Sequence, residues 1–479
     1  MLAVQPVVLL SDLLIFALVA VLILFFVQLA RDPLARGRWR SVFVSRIGSA
    51  AFLVILFYVL MALLDSLHYR EPLPAIATSG SVAEPASETM TEPVVHYSQE
   101  VKSVLDAVLA GLHGQDETTY SEPFSIYSFA RENQTSDDGN VVRAFPRLAH
   151  AGSHLQEGDS VAADVWQRSL KSVLTGVAIM AALVILHWQW RLRCTAQGCG
   201  LKSDDMGAVL PWKTIYITLG VLVVGACWVL ELGQYYHILG TDKVGQDVLY
   251  QGLKAIRTGV LIGTLATLLT LPLAILLGIS AGYFRGWVDD LVQYVYTTLS
   301  SIPGILLIAA SVLLIDVYIE THPEQFQLTT ERADFKFLAL CFILGMTSWT
   351  GLCRLLRAET LKVSQLDYVQ AARAFGVRHG RIIGRHILPN VTHLILIALV
   401  LDFSGFVLAE AVLSYIGVGV DPSMASWGNM INEARAELSR EPVVWWSVAA
   451  AFVLMFILVL AANLFADKVR DAFDPRSAG

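Results

Sequence analysis

The sequence predicts an all-α polytopic membrane protein with about nine transmembrane helices, and three observations predict it. Of 479 residues, 55% are hydrophobic and only 16% charged, well below the roughly 25% of an ordinary soluble domain. The mean hydropathy is +0.58, and the apolar residues are gathered in runs that match a bilayer core about 30 Å thick rather than spread as amphipathic faces. The segments between runs alternate in charge, as the positive-inside rule requires. These features argue against a water-soluble enzyme. The basic clusters are short and lie between apolar runs, which disfavours nucleic acid as a partner. The five cysteines, Cys194, Cys199, Cys227, Cys341 and Cys353, form no secreted-type disulfide framework.

In chain order, the expected spans fall near 8–30, 48–65, 172–190, 213–232, 256–282, 291–315, 336–352, 393–417 and 444–466. The first lacks a basic leading region and is followed by Arg31, Arg36, Arg38, Arg40 and Arg46, the pattern of an uncleaved anchor with its amino terminus outside. Residues 1–65 therefore read as two helices with an Arg-rich cytoplasmic loop. Residues 66–170 form the one large external segment, acidic through Glu84, Glu88, Glu92, Glu100, Asp137 and Asp138. Its stretch from Ala75 to Pro93, rich in Pro, Ser, Thr and Glu, reads as an extended linker. Val101, Val104, Leu105, Val108 and Leu112 are helically spaced, so a short amphipathic helix is expected within Tyr97 to Leu112. Residues 171–212 supply the third helix and a cytoplasmic loop. There Cys194 and Cys199, with no nearby His, read as plain reduced thiols. Nine spans bring the carboxyl terminus inside, beside Lys468 and Arg470.

The chain contains no G-x-x-x-x-G-K-[ST] phosphate loop, no H-E-x-x-H, no G-x-S-x-G and no Cys/His set with four metal ligands. The informative stretch is the basic segment 353–390, with Arg354, Arg357, Lys362, Arg373, Arg378, Arg381 and Arg385. Ser364 and Asp367 have the spacing of a capping box. Tyr368, Val369, Ala371, Ala372 and Phe375 give a short helix with a small-residue face, and Gly376 ends it where positive φ is wanted. A second basic segment, Val377 to His386, is closed by Pro389. The expectation is a helix–turn–helix knuckle on the cytoplasmic surface, whose small residues let another protein's backbone approach.

These residues are also recognisable. Tyr368-Val-Gln-Ala-Ala-Arg-Ala-Phe-Gly376, continuing to His386-Ile-Leu-Pro-Asn390, resembles the EAA loop of ABC-importer permeases. The closer likeness is to the dipeptide/oligopeptide permease family, in its C-subunit branch. His237-Ile-Leu-Gly-Thr-Asp-Lys-Val-Gly-Gln-Asp-Val248 and Ala281-Gly-Tyr-Phe-Arg-Gly-Trp-Val-Asp289 resemble two further family loops. Glu410 to Gly419, Ser426-Trp-Gly-Asn-Met430 and Arg470-Asp-Ala-Phe-Asp-Pro475 resemble its carboxyl-terminal third. The likeness covers about 213–476. Gln370 stands where the family has the EAA glutamate, and Gln246 where an Arg is usual. Residues 1–212, with three spans and the external segment, have no counterpart in the usual short member.

The resemblance implies a type I ABC-importer permease core of about six helices preceded by three extra ones. It places a first core helix and external loop at 213–255, the permease domain at 256–466 and a cytoplasmic tail at 467–479, the whole in a bacterial inner membrane. The core is then expected to keep its fold without the first three spans. The implied partners are a homologous second permease subunit, an external solute-binding protein, and two ATPase subunits docking on 364–390 through Gln370, Ala371, Ala372, Gly376 and Pro389. ATP and Mg would sit on those ATPases, with no cofactor in this chain and no catalysis by it. Di- or oligopeptides are the implied cargo; nickel complexes and modified peptides are carried within the same class. From another class, a receptor using 66–170 as ligand domain is the alternative, and a secondary transporter lacks the expected internal repeat. Asp402 and Glu410, buried ionisable groups in one span, are candidate pathway residues; eight positions apart, they stand about 80° from each other around a helix. Asp242 and Asp247 read as structural, and Trp427 as an interfacial anchor.

Overall fold

Backbone inside hydrocarbon must satisfy its own hydrogen bonds, so apolar runs fold as helices. The computed structural model describes residues 5–31, 33–72, 97–98, 101–135, 141–156, 158–196, 210–326 and 328–473. The expected linker 75–93, Glu84, Glu88, Glu92, Glu100, Asp137, Asp138 and Cys199 lie outside the described residues. The chain opens with β1 (Gln5–Val7), α1 (Leu10–Arg31), α2 (Pro33–Val44), α3 (Arg46–Asp65) and β2 (His68–Arg70). β1 pairs antiparallel with β2, Gln5 opposite Arg70, so after α1 and α3 the chain is back at the end it left. β3 (Lys102–Ser103) joins this sheet and leads into α4 (Val104–Val108); a hairpin of β4 (Glu132–Thr135) and β5 (Val141–Ala144) follows.

The remaining elements are helices: α5 (Val161–Ala196), α6 (Trp212–Leu232), α7 (Val248–Phe284), α8 (Trp287–Ser300), α9 (Gly304–Thr321), α10 (Thr329–Ser348) and α11 (Thr350–Val363). After them come α12 (Asp367–Ala374), α13 (His379–Ile382), α14 (Leu388–Ile416), α15 (Trp427–Ala434) and α16 (Trp446–Phe473). Among the described residues eight helical stretches are long and apolar enough to cross a bilayer. The 22-residue α1, apolar over Leu10–Ala20, leaves β1, and the chain returns through α3 to β2. The run expected at 291–315 is divided. Pro303 has no N–H to continue a helix, so α8 stops at Ser300 and lies as a separate amphipathic helix, leaving α9 to cross.

α7 is the central column, packed by α3, α10, α11, α14 and α16. Gly278 and Gly282 let α11 approach it closely. A Cβ there would stand 2.8 Å from the Cys353 carbonyl oxygen and 2.7 Å from that of Arg357, the small-residue contact that membrane helices use. The structure adds an amino-terminal helix to the expected core. The helix that completes it is α3, whose Tyr58 hydroxyl donates to the Leu454 carbonyl of α16 at 2.9 Å. α6, expected as the first core helix, packs chiefly on α5 and on α3. Gly176 of α5 admits Val224 of α6, and His187 Nδ1 and the Tyr216 hydroxyl share a hydrogen bond of 2.5 Å. Residues 213 onward therefore lack one wall of the core. Hydropathy could not separate the two helices, because a lipid-facing surface is as apolar as a packed one.

The described residues of the segment 66–170 cap the end of the bundle bearing β1. Its helix is shorter than expected: α4 spans Val104–Val108, with Ser103 and Asp106 forming a capping box. Val108 is exposed, while Leu105, Leu109 and Leu112 are buried. Three ionic contacts hold the cap and the amino-terminal helices to α7. Asp106 accepts from Lys254 Nζ at 2.8 Å and the Tyr250 hydroxyl at 2.7 Å. Asp12 of α1 takes Arg257 Nη2 at 2.6 Å and His68 Nδ1 at 2.8 Å. Glu117 receives the backbone N–H groups of Ala149, His150 and Ala151 and stands 3.6 Å from His237 Nε2. His237 Nδ1 bonds Asp247 at 2.8 Å. Burial opposes the imidazolium, yet Asp247 and Glu117 outweigh it and hold His237 up at about 9. Burial likewise opposes the Glu117 charge, but His237 and the three amides bring its carboxyl down to about 2.

Candidate functional site: a projecting knuckle and two buried carboxylates

At the end opposite the cap, α11 hands over to α12. Ser364 is not the N-cap of α12: it ends α11, with its hydroxyl donating to the Leu361 carbonyl at 2.9 Å and accepting from Arg285 Nη2 at 3.1 Å. Leu366 takes the N-cap position without a side-chain cap, and Asp367 opens the helix. The expected capping box is therefore absent, because Ser364 is held by the turn before it. Gly376 does end α12 with φ +73°, the left-handed conformation that a residue lacking Cβ adopts cheaply.

The knuckle is rooted by its apolar side. Val369, Ile382 and Ile387 are buried together with Trp349, Leu356 and Tyr283. The Tyr283 hydroxyl shares a hydrogen bond with His379 Nδ1 at 2.8 Å, and the Arg373 guanidinium lies 4.8 Å over the Tyr283 ring. Asn390 Nδ2 donates to the Tyr368 hydroxyl at 3.0 Å, tying α12 to the start of α14. Arg357 pairs with Asp289, which joins α11 to α8 beneath the knuckle. Pro389 does not close the second basic segment. It sits in the first turn of α14, where its missing N–H costs nothing, after a π-helical turn at Ile383–Ile387.

What this root leaves outward is specific. Gln370, Ala371, Arg373, Ala374 and Gly376 are exposed, and Phe375 is 87% exposed. Gln370 Nε2 donates to the Gln365 carbonyl at 2.9 Å, back onto its own loop. Ala372, expected on the contact face, is instead half-buried against the knuckle's own apolar root. Phe375 is the group that sequence reading overlooked as a contact. Its signal was an aromatic ring directly before the helix-ending glycine, at a tip that none of the described residues covers.

The two carboxylates of α14 do not act as a pair. Glu410 is 1% exposed. Its Oε1 accepts from the Ser414 hydroxyl at 2.7 Å and the Ser426 hydroxyl at 2.8 Å. Ser426 is the N-cap of α15, accepting Asn429 N–H at 3.0 Å, so Glu410 seats α15 on α14 and presents no surface to a pathway. This corrects its candidate role. Asp402 is half-buried in the middle of α14, and its Oδ2 has no hydrogen-bond partner among the described residues. Trp427 is not interfacial. It is 1% exposed, packs over Gly259 and donates Nε1–H to the Gly252 carbonyl at 3.0 Å. Among the described residues no group of three or more His, Cys, Asp or Glu could hold a metal ion.

Comparison with known proteins places this geometry. Residues 274–479 match the family model described as binding-protein-dependent transport system inner membrane component. The chain is 34% identical over 241 residues to the oligopeptide transport system permease protein OppC of Mycobacterium tuberculosis, covering 50% of this chain and 76% of that one. It is 32% identical over 240 residues to the glutathione transport system permease protein GsiD of Pectobacterium atrosepticum, with 50% and 73% covered. With the dipeptide transport system permease protein DppC of Lactococcus lactis it shares 28% identity over 242 residues, with 50% and 64% covered.

Proposed function

The chain belongs to the peptide-permease family of binding-protein-dependent inner membrane transport components, and from that membership we propose that it is one membrane subunit of an ATP-driven importer of di- or oligopeptides. The multi-pass bundle is the transport element. The observation that carries the coupling step is the knuckle: a short helix with a buried root, an exposed face and Phe375 at its tip. A partner with a complementary groove would enclose that tip. We assign the groove to an ATPase subunit, since this chain has no phosphate loop, with two such subunits carrying ATP and Mg and a homologous second permease completing the membrane core. Gln370, Ala371 and Gly376 then lie on the contact face, while Ala372 and Pro389 shape the knuckle from within. An external binding protein would deliver the cargo at the capped end, and catalysis rests with the partners.

In this reading the knuckle end is cytoplasmic, which puts the amino terminus outside and the carboxyl terminus inside. The distribution of basic residues supports it. Asp402 is the pathway candidate that remains, a mid-membrane carboxylate oxygen with no partner among the described residues. The test of function is reconstitution. This chain, its paired permease and two ATPase subunits should import labelled peptide into proteoliposomes only with binding protein outside and ATP inside. Peptide-independent association with a signalling partner, without uptake, would favour the receptor reading instead. Orientation has its own test: in intact cells Asn133→Cys should react with an impermeant thiol reagent and Gln370→Cys should not.

A further inference from the structure

Of the eight apolar stretches, those of α5 and α6 are the two least covered by the rest of the chain. Side by side they enclose a groove of about 820 Å³ between Val177, Ala181 and Val184 of α5 and Ile217, Gly220 and Val221 of α6. On α6 its lining runs from Tyr216 to Trp228. That stretch is about 18 Å of helix, against about 15 Å for half of a 30 Å hydrocarbon core. The two polar side-chain groups in the lining are engaged, the Tyr216 hydroxyl with His187 Nδ1 at 2.5 Å and Trp228 Nε1 with the Ser169 hydroxyl at 3.1 Å. The groove therefore offers an occupant apolar contact and no hydrogen bond. Two glycines keep it open. A Cβ on Gly225 would meet nothing within 4 Å, and one on Gly220 would meet Met180 Cγ at 3.8 Å; unlike Gly176, neither is needed for the packing of α5 on α6.

The two ends of the groove differ in charge. At the capped end the ions are paired, Lys171 with Glu231 at 2.8 Å and Arg168 with Asp164 at 2.7 Å. At the knuckle end the described residues of the two helices carry Arg191, Arg193 and Lys213 and no acid. The connection 197–209 lies outside the described residues; with its Lys202, Asp204 and Asp205 counted, four bases there face two acids. Lys213 is exposed, has no ion pair among the described residues, and stands four positions before Ile217, on the groove's own face of α6. Arg191 stands seven positions after Val184 on the corresponding face of α5, its guanidinium 5.9 Å from the Trp212 ring. Trp188 and Trp190, both exposed, complete a belt of the kind that sits at headgroup level.

A free anion would answer the cations and leave the groove empty. A helix from another protein would fill the groove but has no call for cations at one end of it. A molecule with a long apolar chain and an anionic head answers both. We propose that the groove between α5 and α6 is a binding site for one anionic phospholipid. An acyl chain lies along Val177, Ala181, Val184, Gly220 and Val221, and the headgroup phosphate accepts from Lys213 and Arg191 at the knuckle end, the arrangement by which basic pockets between membrane helices hold lipid headgroups. One wall of the site, α5, belongs to the amino-terminal extension. The site uses neither ATPase nor cargo and stands or falls apart from the importer reading.

The experiment is native mass spectrometry of the delipidated full-length chain in a non-ionic detergent, titrated with dioleoyl-phosphatidylglycerol and, separately, with dioleoyl-phosphatidylcholine. Phosphatidylglycerol should bind saturably and about tenfold or more tightly than phosphatidylcholine, because two cations meet its net charge. This comparison is made on the unsubstituted protein and does not depend on the folding of any variant. Glycerol 3-phosphate, a head without chains, should not compete. The double variant Arg191→Gln, Lys213→Gln should lose the preference for phosphatidylglycerol. Gly225→Leu, which fills open space in the groove, should weaken both lipids about tenfold with the melting temperature unchanged. Equal binding of the two lipids, no saturable binding of phosphatidylglycerol, or competition by glycerol 3-phosphate overturns the proposal. Undiminished binding in both variants overturns it as well, and so does a disulfide between two copies of Val221→Cys in native membranes, which would give the groove to a second copy of the chain.

Discussion

Replacing Phe375 by Ala removes a ring from the knuckle's tip without disturbing the apolar root, since that ring is 87% exposed while Val369, Ile382 and Ile387 carry the packing. A phenylalanine enclosed in a protein groove buries roughly 150 Å² or more. At about 25 cal/mol per Å² that enclosure is worth about 4 kcal/mol. An alanine retains part of the contact, so the expected loss is about 2–3 kcal/mol, or roughly 30- to 150-fold in Kd. The assay is titration of purified ATPase subunits onto the permease pair in nanodiscs, with melting of the permease alone as control. Melting should be unchanged, because the ring contributes little to the fold. ATPase affinity should fall and binding-protein-stimulated hydrolysis with it. Unchanged affinity and intact stimulation would refute the assignment of the knuckle as the docking element.

Three further outcomes are expected. Gly376→Asp forces a Cβ into φ +73° at a cost of about 1 kcal/mol and places a charge at the tip; the protein should still reach the membrane at normal level while hydrolysis no longer drives uptake, as measured by paired ATPase and uptake assays. Glu410→Ala strips the Ser414 and Ser426 hydroxyls of their buried acceptor and should cost about 2–3 kcal/mol, seen as a lowered melting temperature, whereas Glu410→Gln keeps an acceptor oxygen and should recover much of it. The cap should loosen in alkali. His237, raised from 6.5 to about 9, contributes stability that is complete below about pH 6.5 and lost as pH rises through about 9, amounting to about 3 kcal/mol at 1.36 kcal/mol per unit. Glu117, lowered from 4.5 to about 2, contributes above 4.5 and loses it only as pH falls through about 2. Hydrogen-exchange protection in residues 101–135, corrected for the base-catalysed intrinsic rate, should therefore fall between about pH 7 and 9.5, and His237→Gln should abolish that fall; constant protection in the unsubstituted protein would count against the ionic anchor.

Sequence alone located the crossings because length and apolarity decide whether a helix can lie in a bilayer. It located the helix-ending Gly376 because few residues adopt that backbone cheaply. It misplaced what depends on neighbours. α3 and α6 are equally apolar, so nothing in either reveals that one packs on α7 and α16 and the other chiefly on α5 and α3. Ser364 and Asp367 have capping-box spacing, yet Ser364 completes the preceding helix. Ala372 lies on the small-residue face that sequence reading turned toward a partner, but the root of the knuckle takes it. Trp427 resembles a headgroup anchor until Gly252 and Gly259 supply a carbonyl and a slot for its ring. Pro303 alone carried the division of the sixth run, and it was passed over because the flanking residues continue the apolar pattern.

The position of α3 has a consequence in time. It is made early, yet its partners α7 and α16 begin about 180 and 380 residues further along the chain. At a synthesis rate of about 5–20 residues per second, α3 waits roughly 10–40 s for α7 and about 20–80 s for α16. Throughout that interval the face it turns to α7 and α16 lacks both of those partners. α6 is completed before α7 begins and lies directly against α3. The hairpin of α5 and α6 thus emerges from the ribosome in time to escort the waiting helix, and the order of synthesis makes α6 the first long helix made after α3 to pack against it.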